Sequence, residues 1–170
     1  MARELNYDVI IERTEEGILC RDNRQYIFQE QIMKTGYEDA LSEYQTNCVQ
    51  LCLEYAEGNA EEIFVYMYRT ETLRMFNVFF KSKGNIVSAN QLDTSCSDDE
   101  LLEVGRNDIS ELEHICREYE VETPNEIKIH YDVSSRKMDA TISYEDYSIK
   151  DKVTPFEVFI KWYKYERSRQ

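Results

Sequence analysis

The stretch EIFVYMYR at residues 62–69 decides the fold class of this 170-residue chain. It is rich in β-branched and aromatic residues, which favour a β-strand. Successive side chains of a strand point to opposite faces, so the odd-numbered residues from Ile63 to Met67 are predicted to face one way. The even-numbered residues from Phe64 to Tyr68 face the other way, where they form either core or an interface, depending on where the helices pack.

More strands are predicted on the C-terminal side of this stretch. Residues 74–81 (RMFNVFFK) and 86–90 are predicted to form the second and third strands of a meander, because only short turns separate them. Farther along, residues 126–132 alternate apolar and polar side chains, and residues 138–144 alternate again after a short turn. The sequence therefore predicts about five strands in two antiparallel units, a meander and a hairpin.

Three helices are predicted around these strands. Apolar residues recur at three- and four-residue steps over residues 37–55, which is typical of an amphipathic helix of about five turns. Ser97 and Glu100 form a capping box that predicts the start of a second helix, and a break of that helix near Gly105 stays open. The segment TPFE at residues 154–157 combines an N-cap threonine, an N1 proline and an N3 glutamate, and it predicts a third helix.

These elements follow the order α-βββ-α-ββ-α, in which runs of strands separate the helices. The predicted fold class is α+β, with an antiparallel sheet and helices packed on one face. Residues 36–170 are predicted to form a single domain, and residues 1–35 an N-terminal arm or extension. For residues 1–24 a short strand, a hairpin around residues 16–17 and a loose arm all stay open, and residues 25–35 are helical or transitional.

Charge is the most informative feature of the composition. The chain has 34 Asp and Glu against 20 Lys and Arg, and its net charge of −14 repels phosphate backbones. Direct binding to nucleic acid or to an anionic membrane is therefore disfavoured. Residues 93–146 carry 16 acidic and 5 basic side chains, a net charge of −11, whereas residues 147–170 carry 3 acidic and 6 basic side chains.

The acidic excess of residues 93–146 has two interpretations. It is either a solvated surface that keeps the protein soluble, or a docking face for a basic protein whose encounter the field accelerates. Under the second interpretation, the predicted partner-binding residues lie on the second helix and are Asp98, Asp99, Glu100, Glu103, Asp108 and Glu111.

Signatures of catalysis are weak in this sequence. The five glycines form no phosphate-binding loop, and no Gly-x-Ser-x-Gly motif occurs. His114 and Cys116 are two residues apart on a predicted helix, so they point to different faces, and Cys48 and Cys52 share a face that is apolar. We therefore predict no catalytic residue, no metal and no cofactor. A small hydrolase that uses carboxylates or His130 stays an alternative.

The cysteines and the hydropathy favour a cytoplasmic location. Five cysteines are an odd number without a disulfide framework, so they are predicted to be free thiols of a reducing compartment. No apolar run reaches the length of a signal peptide or the ~20 residues that span a bilayer. We therefore expect a cytoplasmic protein that does not enter the membrane.

The segment from about Ala40 to Tyr165 resembles the YezG-like family of antitoxins and immunity proteins. The resemblance lies in an ordered pattern of a long amphipathic helix, an aromatic-rich strand pair, an acidic helix and a hairpin. The hairpin is IKIHYDVSSRKMDATISYE at residues 127–145, and an aromatic helix that includes Trp162-Tyr163 closes the pattern. The resemblance covers roughly three quarters of the chain.

Proteins of that family neutralise secreted polymorphic toxins of bacteria, in several cases nucleases. The resemblance implies a cytoplasmic protein without catalysis of its own that binds a cognate toxin and masks its active site. The acidic bias fits a basic toxin, with a nuclease as one candidate. Besides the hydrolase, an adaptor domain that binds another protein through Tyr66, Tyr68 or Trp162 stays open as an alternative.

Overall fold

The computed structural model describes residues 36–170 with their side chains, together with the backbone of residues 12–14 and 17–19. The first two strands, β1 (Glu12–Thr14) and β2 (Gly17–Leu19), pair with each other antiparallel. This pairing corresponds to the hairpin among the three alternatives for the N-terminal residues. The helical or transitional prediction for residues 25–35 lies outside the described residues.

A five-stranded antiparallel sheet forms the centre of the described structure, in the strand order β5-β4-β3-β6-β7. The predicted α+β class is thereby confirmed. The strands are β3 (Glu62–Arg69), β4 (Arg74–Ser82), β5 (Asn85–Ser88), β6 (Glu126–Asp132) and β7 (Lys137–Ser143). The helices are α1 (Tyr37–Ala56), α2 (Asp98–Glu118), α3 (Tyr147–Lys150) and α4 (Pro155–Ser168), with one turn of 3₁₀ helix at Ala89–Gln91.

Strand β3 is central because it is apolar on both of its faces. Val65 lies opposite Val78 of β4 on one side and opposite Ile129 of β6 on the other. All six residues from Ile63 to Tyr68 are buried, at 3% exposure or less. A strand that buries both faces needs a layer of structure on each side of the sheet.

The first face of the sheet is covered by α1 and α2, which contact β3 and β4 respectively. The odd-numbered side chains of β3 join this core together with the apolar stripes of the two helices. Helix α1 contributes Tyr44, Cys48 and Cys52, which confirms that the two cysteines belong to an apolar stripe. Burial of these stripes leaves the polar sides of α1 and α2 facing outward.

The second face of the sheet is covered by α4, and the prediction that the helices pack on one face is wrong. Phe159 of α4 packs with Phe64, Tyr66 and Phe79, and the edge of the Trp162 ring contacts Phe79 at a centroid distance of 5.1 Å. The physical reason is that the even-numbered residues of β3, Phe64, Tyr66 and Tyr68, are large aromatic side chains. Burying them stabilises the fold, so this face of the sheet needs a helix to cover it as well. Tyr66 and Tyr68 are therefore core residues.

Three local features also differ from the sequence-based expectations. The strand predicted over residues 86–90 ends at Ser88, because the Ser88 side chain caps the 3₁₀ turn that follows. The short helix α3 was not predicted, and its N-cap is the side chain of Asp146. The second predicted helix is not broken near Gly105, since α2 runs without interruption from Asp98 to Glu118.

Gly105 allows α2 to approach the sheet closely. A Cβ atom at this position would overlap the ring of Phe76 on β4, which is only 3% exposed and has little room to move. We expect Gly105→Ala to destabilise the protein, because overpacking costs about 1–3 kcal/mol, whereas the better helix propensity of alanine returns about 1 kcal/mol. Urea denaturation would measure the difference.

The neighbouring exposed position provides a matched control for this variant. Asn107→Ala gains helix propensity at a side chain that faces solvent, so the free energy of unfolding should stay the same or rise slightly. A Gly105→Ala protein as stable as the wild type would mean that α2 lies farther from Phe76 than described.

Candidate partner-binding surface

Helices α1 and α2 together form a surface of one charge, which we call the acidic layer. The two helices carry 12 acidic and only 2 basic side chains. The acidic residues of α1 are Glu38, Asp39, Glu43 and Glu54. Those of α2 are Asp98, Asp99, Glu100, Glu103, Asp108, Glu111, Glu113 and Glu118.

The sequence places these carboxylates on the outer side for a simple reason. Both helices bury an apolar stripe against the sheet, so residues at the intervening positions face solvent. At the start of α2, Asp98, Asp99 and Glu100 occupy the first turn, where negative charge is favourable to the helix dipole. The Ser97 side chain accepts a hydrogen bond from the backbone N–H of Glu100 at 3.3 Å and fixes the first turn.

The six predicted partner-binding residues do not form one patch. Five of them are exposed, but Asp98 is half-buried beside an apolar depression that Leu102 of α2 and Phe156 of α4 also line. Asp108 lies on the side of α2 that faces α1, where burial raises the pKa of Tyr44 and the charge of Asp108 adds a smaller effect of the same sign. Partial burial and the nearby charge of Glu111 raise the pKa of the Asp108 carboxyl itself.

Of the other predicted residues, Glu100 and Glu111 lie beside α1 side chains along the seam between the two helices, whereas Asp99 and Glu103 are exposed and line neither depression of the seam. One depression in this seam is lined by Glu54 of α1 and Glu100 of α2, together with the apolar side chains of Leu51 and Val104. A second depression brings together one carboxylate of α1 and two of α2, beside Asn47 and Tyr119; they are Glu43, Glu111 and Glu118. The seam therefore offers carboxylates from both helices around apolar floors.

The contribution of α1 to this surface was missed by the sequence analysis. Glu43 and Glu54 lie far from α2 in the chain, so only the packing of the two helices shows that they share a surface with Glu100 and Glu111. A signal was present in the sequence, because residues 35–68 contain seven acidic residues and no Lys or Arg. Such a one-sided composition indicates an acidic surface wherever the segment packs.

Glu113 differs from its neighbours because it is part of an ion-pair network. Its carboxylate accepts hydrogen bonds from Nε of Arg74 at 3.2 Å and Nη2 of Arg74 at 2.5 Å. Nε of Arg69 lies 3.2 Å from the same carboxylate, and the side chains of Arg69 and Glu113 are 16% and 18% exposed. Glu113 therefore ties α2 to β3 and β4 and adds no free charge to the surface.

This contrast gives a testable distinction between structural and surface carboxylates. We expect Glu113→Gln to lower the free energy of unfolding by about 1–3 kcal/mol, because the largely buried guanidinium group of Arg69 loses its anionic partner and the exposed Arg74 loses a two-point ion pair. The matched variant Glu111→Gln changes an exposed side chain two positions away and should stay within about 0.5 kcal/mol of the wild type. Equal effects in urea denaturation would contradict this assignment.

His130 lies on β6 in a second polar cluster, on the other face of the sheet. Its Nε2 atom lies 2.6 Å from Glu62 Oε2, its ring stacks on Phe64 at a centroid distance of 4.5 Å, and Lys81 donates to Glu62 at 2.7 Å. Partial burial raises the pKa of Glu62, but the hydrogen bonds from Lys81 and His130 outweigh it and hold the pKa below its ordinary value. The cluster thus keeps Glu62 ionised, as an ion-pair network does.

A third polar cluster attaches α3 to the sheet. Glu126 is 8% exposed, and its Oε2 atom accepts hydrogen bonds from the hydroxyls of Tyr66 at 2.8 Å and Tyr147 at 3.0 Å. Beside it, the Tyr68 hydroxyl donates to Oδ1 of Asp146 at 2.8 Å. Tyr66 and Tyr68 are therefore engaged inside the protein, and the aromatic interface of the adaptor alternative does not include them.

The described cysteines and histidines do not assemble into a ligand cluster. Cys48, Cys52 and Cys116 are buried and Cys96 is exposed, and all four are unpaired. His114 is exposed on α2 while Cys116 is buried, as their spacing predicts. Within residues 36–170, no three His, Cys, Asp or Glu side chains are placed to hold a metal ion.

No protein-family model matches the chain, and no curated protein matches it either. The resemblance to the YezG-like family therefore stays a prediction. Among the described helices, none combines the length and the apolar character needed to cross a bilayer. Function is consequently inferred from the charge and the geometry of the acidic layer.

Proposed function

We propose that this chain is a cytoplasmic immunity protein that binds a cognate secreted bacterial toxin and masks its active site. The observation that carries the proposal is the acidic layer, in which two neighbouring helices carry 2 basic and 12 acidic side chains, and of the acidic ones Glu113 is neutralised by its ion pairs with Arg69 and Arg74. The proposed partner is a basic protein, with a nuclease as one candidate. The proposal assigns the chain no catalytic residue, metal or cofactor.

The physical basis of the proposal is resemblance to a polyanion. A nuclease must attract the phosphate backbone of its substrate, so its active-site cleft carries positive charge. A folded surface with closely spaced carboxylates fits such a cleft and excludes the substrate from it. Because the surface is preformed, the protein loses little conformational entropy when it binds.

The distribution of charge over the molecule supports a defined orientation of binding. Residues 147–170 contain α3 and α4 and carry a net charge of +3. Helix α4 covers one face of the sheet, and the acidic layer covers the opposite face. A basic partner is attracted to one side and repelled from the other. Such complementarity raises the association rate and suppresses wrong orientations.

The proposal is tested by co-expression with the toxin domain encoded beside this gene. If an adjacent reading frame encodes an exported protein, its C-terminal domain should arrest growth alone, and co-expression of this chain should restore growth. The two proteins should also co-purify as a complex. A locus without such a gene, or a toxin domain that this chain neither binds nor neutralises, would refute the proposal.

A further inference from the structure

Strand β7 lies at one edge of the main sheet. It pairs with β6 along its whole length from Lys137 to Ser143, and among the described residues no strand pairs with its outer side. The opposite edge is different, because β5 has only four residues, leads into a 3₁₀ turn and contacts α4. Of the two edges, β7 is the one long enough to accept another strand.

The side chains of β7 continue the rows of the sheet. Met138 lies opposite Tyr131 of β6, and Ile142 lies opposite Ile127. Met138 and Ile142 both pack against the core between the sheet and helices α1 and α2. Ala140 lies between them and is exposed. Met138, Ala140 and Ile142 therefore form a short apolar row along the outermost strand, and a further strand paired with β7 would cover it.

The charges around β7 differ between its two ends. Arg136 and Lys137 stand at the beginning of the strand, whereas Glu145 and Asp146 follow its end. Lys137 contacts Asp139 at 3.3 Å, but both side chains are more than 60% exposed, so this pair constrains Lys137 little. A strand that is positive at one end and negative at the other complements an antiparallel copy of itself.

We propose that β7 is a self-association edge, where it pairs antiparallel with β7 of a second copy of the chain. A register centred on Ala140 places Met138 opposite the second copy's Ile142, so that the apolar rows of the two edges meet. The same register brings Lys137 diagonally next to the second copy's Glu145, which lies within reach of a long side chain. Each contact occurs twice, because the interface is isologous.

Such a dimer has a ten-stranded sheet and a two-fold axis perpendicular to it. The axis keeps both acidic layers on the same side of the sheet, so the dimer presents two of these surfaces in one direction. Self-association through β7 does not depend on the proposed toxin binding, and either can hold without the other. The contact of two seven-residue edges is smaller than a standard interface, so we expect micromolar or weaker association.

Sedimentation velocity of the full chain over a micromolar to millimolar concentration series tests the proposal. The mass should rise from the monomer's 20.3 kDa towards twice that value. Amide hydrogen exchange within residues 137–143 should slow at the concentrations where the dimer forms. A chain that stays monomeric throughout, or a dimer without added protection in β7, would overturn the proposal.

Charge exchange at the two ends of β7 tests the register. Lys137→Glu places two negative ends together and should raise the dimer dissociation constant about tenfold or more, since two attractive pairs become repulsive. The double variant Lys137→Glu with Glu145→Lys should restore association.

The matched control is Lys83→Glu, an equally exposed charge in the turn beside the opposite edge of the sheet. It should leave the dissociation constant unchanged. Loss of the dimer in Lys83→Glu, or no rescue in the double variant, would contradict the antiparallel pairing.

Discussion

Above pH 10 the free energy of unfolding is expected to fall steeply. Tyr44 and Tyr66 are buried at 3% and 0% exposure, and burial raises their pKa well above the ordinary 10.0. Burial likewise raises the pKa of Cys48 to about 12 and that of Cys52 well above 9.0. All four groups stay protonated in the folded protein at pH values where the unfolded chain releases their protons.

The sign of the effect follows from proton linkage. Between the unfolded and the folded pKa the native state binds more protons than the unfolded state, so stability decreases as the pH rises. The stabilisation is fully present below about pH 8, because both states then hold the protons of the two tyrosines and of the two cysteines, whose ordinary pKa is 9.0. Each group contributes about 1.4 kcal/mol per pH unit, and the four together roughly 5 kcal/mol per pH unit above pH 10. A typical domain stability of about 5–15 kcal/mol is then lost within about one to three pH units.

The surroundings of the two tyrosines explain why they resist ionisation. The Tyr44 hydroxyl donates to Sδ of Met67 at 3.0 Å, inside the core between the sheet and helices α1 and α2. The Tyr66 hydroxyl donates to the carboxylate of Glu126, so a tyrosinate there would be both desolvated and repelled. Neither hydroxyl can lose its proton without opening the core around it.

Urea denaturation from pH 7 to 11.5 would measure this slope, and tyrosinate absorbance would report ionisation. Tyr66→Phe should reduce the slope above pH 10 by about 1.4 kcal/mol per pH unit, because one titrating group is removed. The control Tyr165→Phe alters a side chain that is 56% exposed and should leave the slope unchanged. Stability that stays constant up to pH 11.5 would contradict the described burial.

The central strands and the three long helices could be predicted because their signals are local. The β-branched and aromatic residues of β3, the alternation in β6 and the capping box of Thr154 with Glu157 are signals from residues close in sequence, and the structure reproduces the predicted boundaries. The position of α4 could not be predicted in this way. The apolar character of both faces of β3 was nevertheless a signal that the sheet needed helices on each side.

At Gly105 a local signal was misleading. A glycine inside a helix favours a break when only propensity is considered. The structure shows that the missing side chain makes room for the ring of Phe76, a residue 29 positions earlier in the chain. That requirement arises from tertiary packing, which overrides propensity and cannot be seen in the helix sequence.

The candidate surface was predictable only where its signal is local in the sequence. The acidic character of α2 is visible in its own sequence, but the seam with α1 is created by packing. Helical geometry also separates the predicted residues, since Asp98 and Asp108 lie towards different flanks of α2. The ion pairs of Glu113 with Arg69 and Arg74 join residues about 40 positions apart, so sequence alone could not remove Glu113 from the acidic surface.

Reversing two charges of the acidic layer is expected to slow association with the basic toxin of the proposed function by about tenfold or more. Glu103 and Glu111 are suitable because both are exposed and lie beyond the first turn of α2. The helix dipole favours acidic residues only within that first turn, so these two substitutions do not lose its stabilisation. The variant Glu103→Lys with Glu111→Lys should therefore fold normally, within about 0.5 kcal/mol of the wild type for each exposed substitution. Stopped-flow association rates would be measured at several salt concentrations.

A variant of equal net charge separates local complementarity from total charge. Asp139→Lys with Asp151→Lys makes the same change of net charge at exposed residues away from α1 and α2. If the toxin docks on the acidic layer, this control should bind at nearly the wild-type rate, whereas the α2 variant should lose both speed and most of its salt dependence. Exposed charges act over only ~8–10 Å at physiological ionic strength, so position must matter more than total charge. Equal slowing of both variants would show that net charge alone drives the encounter, and unchanged rates in both would remove α2 from the interface.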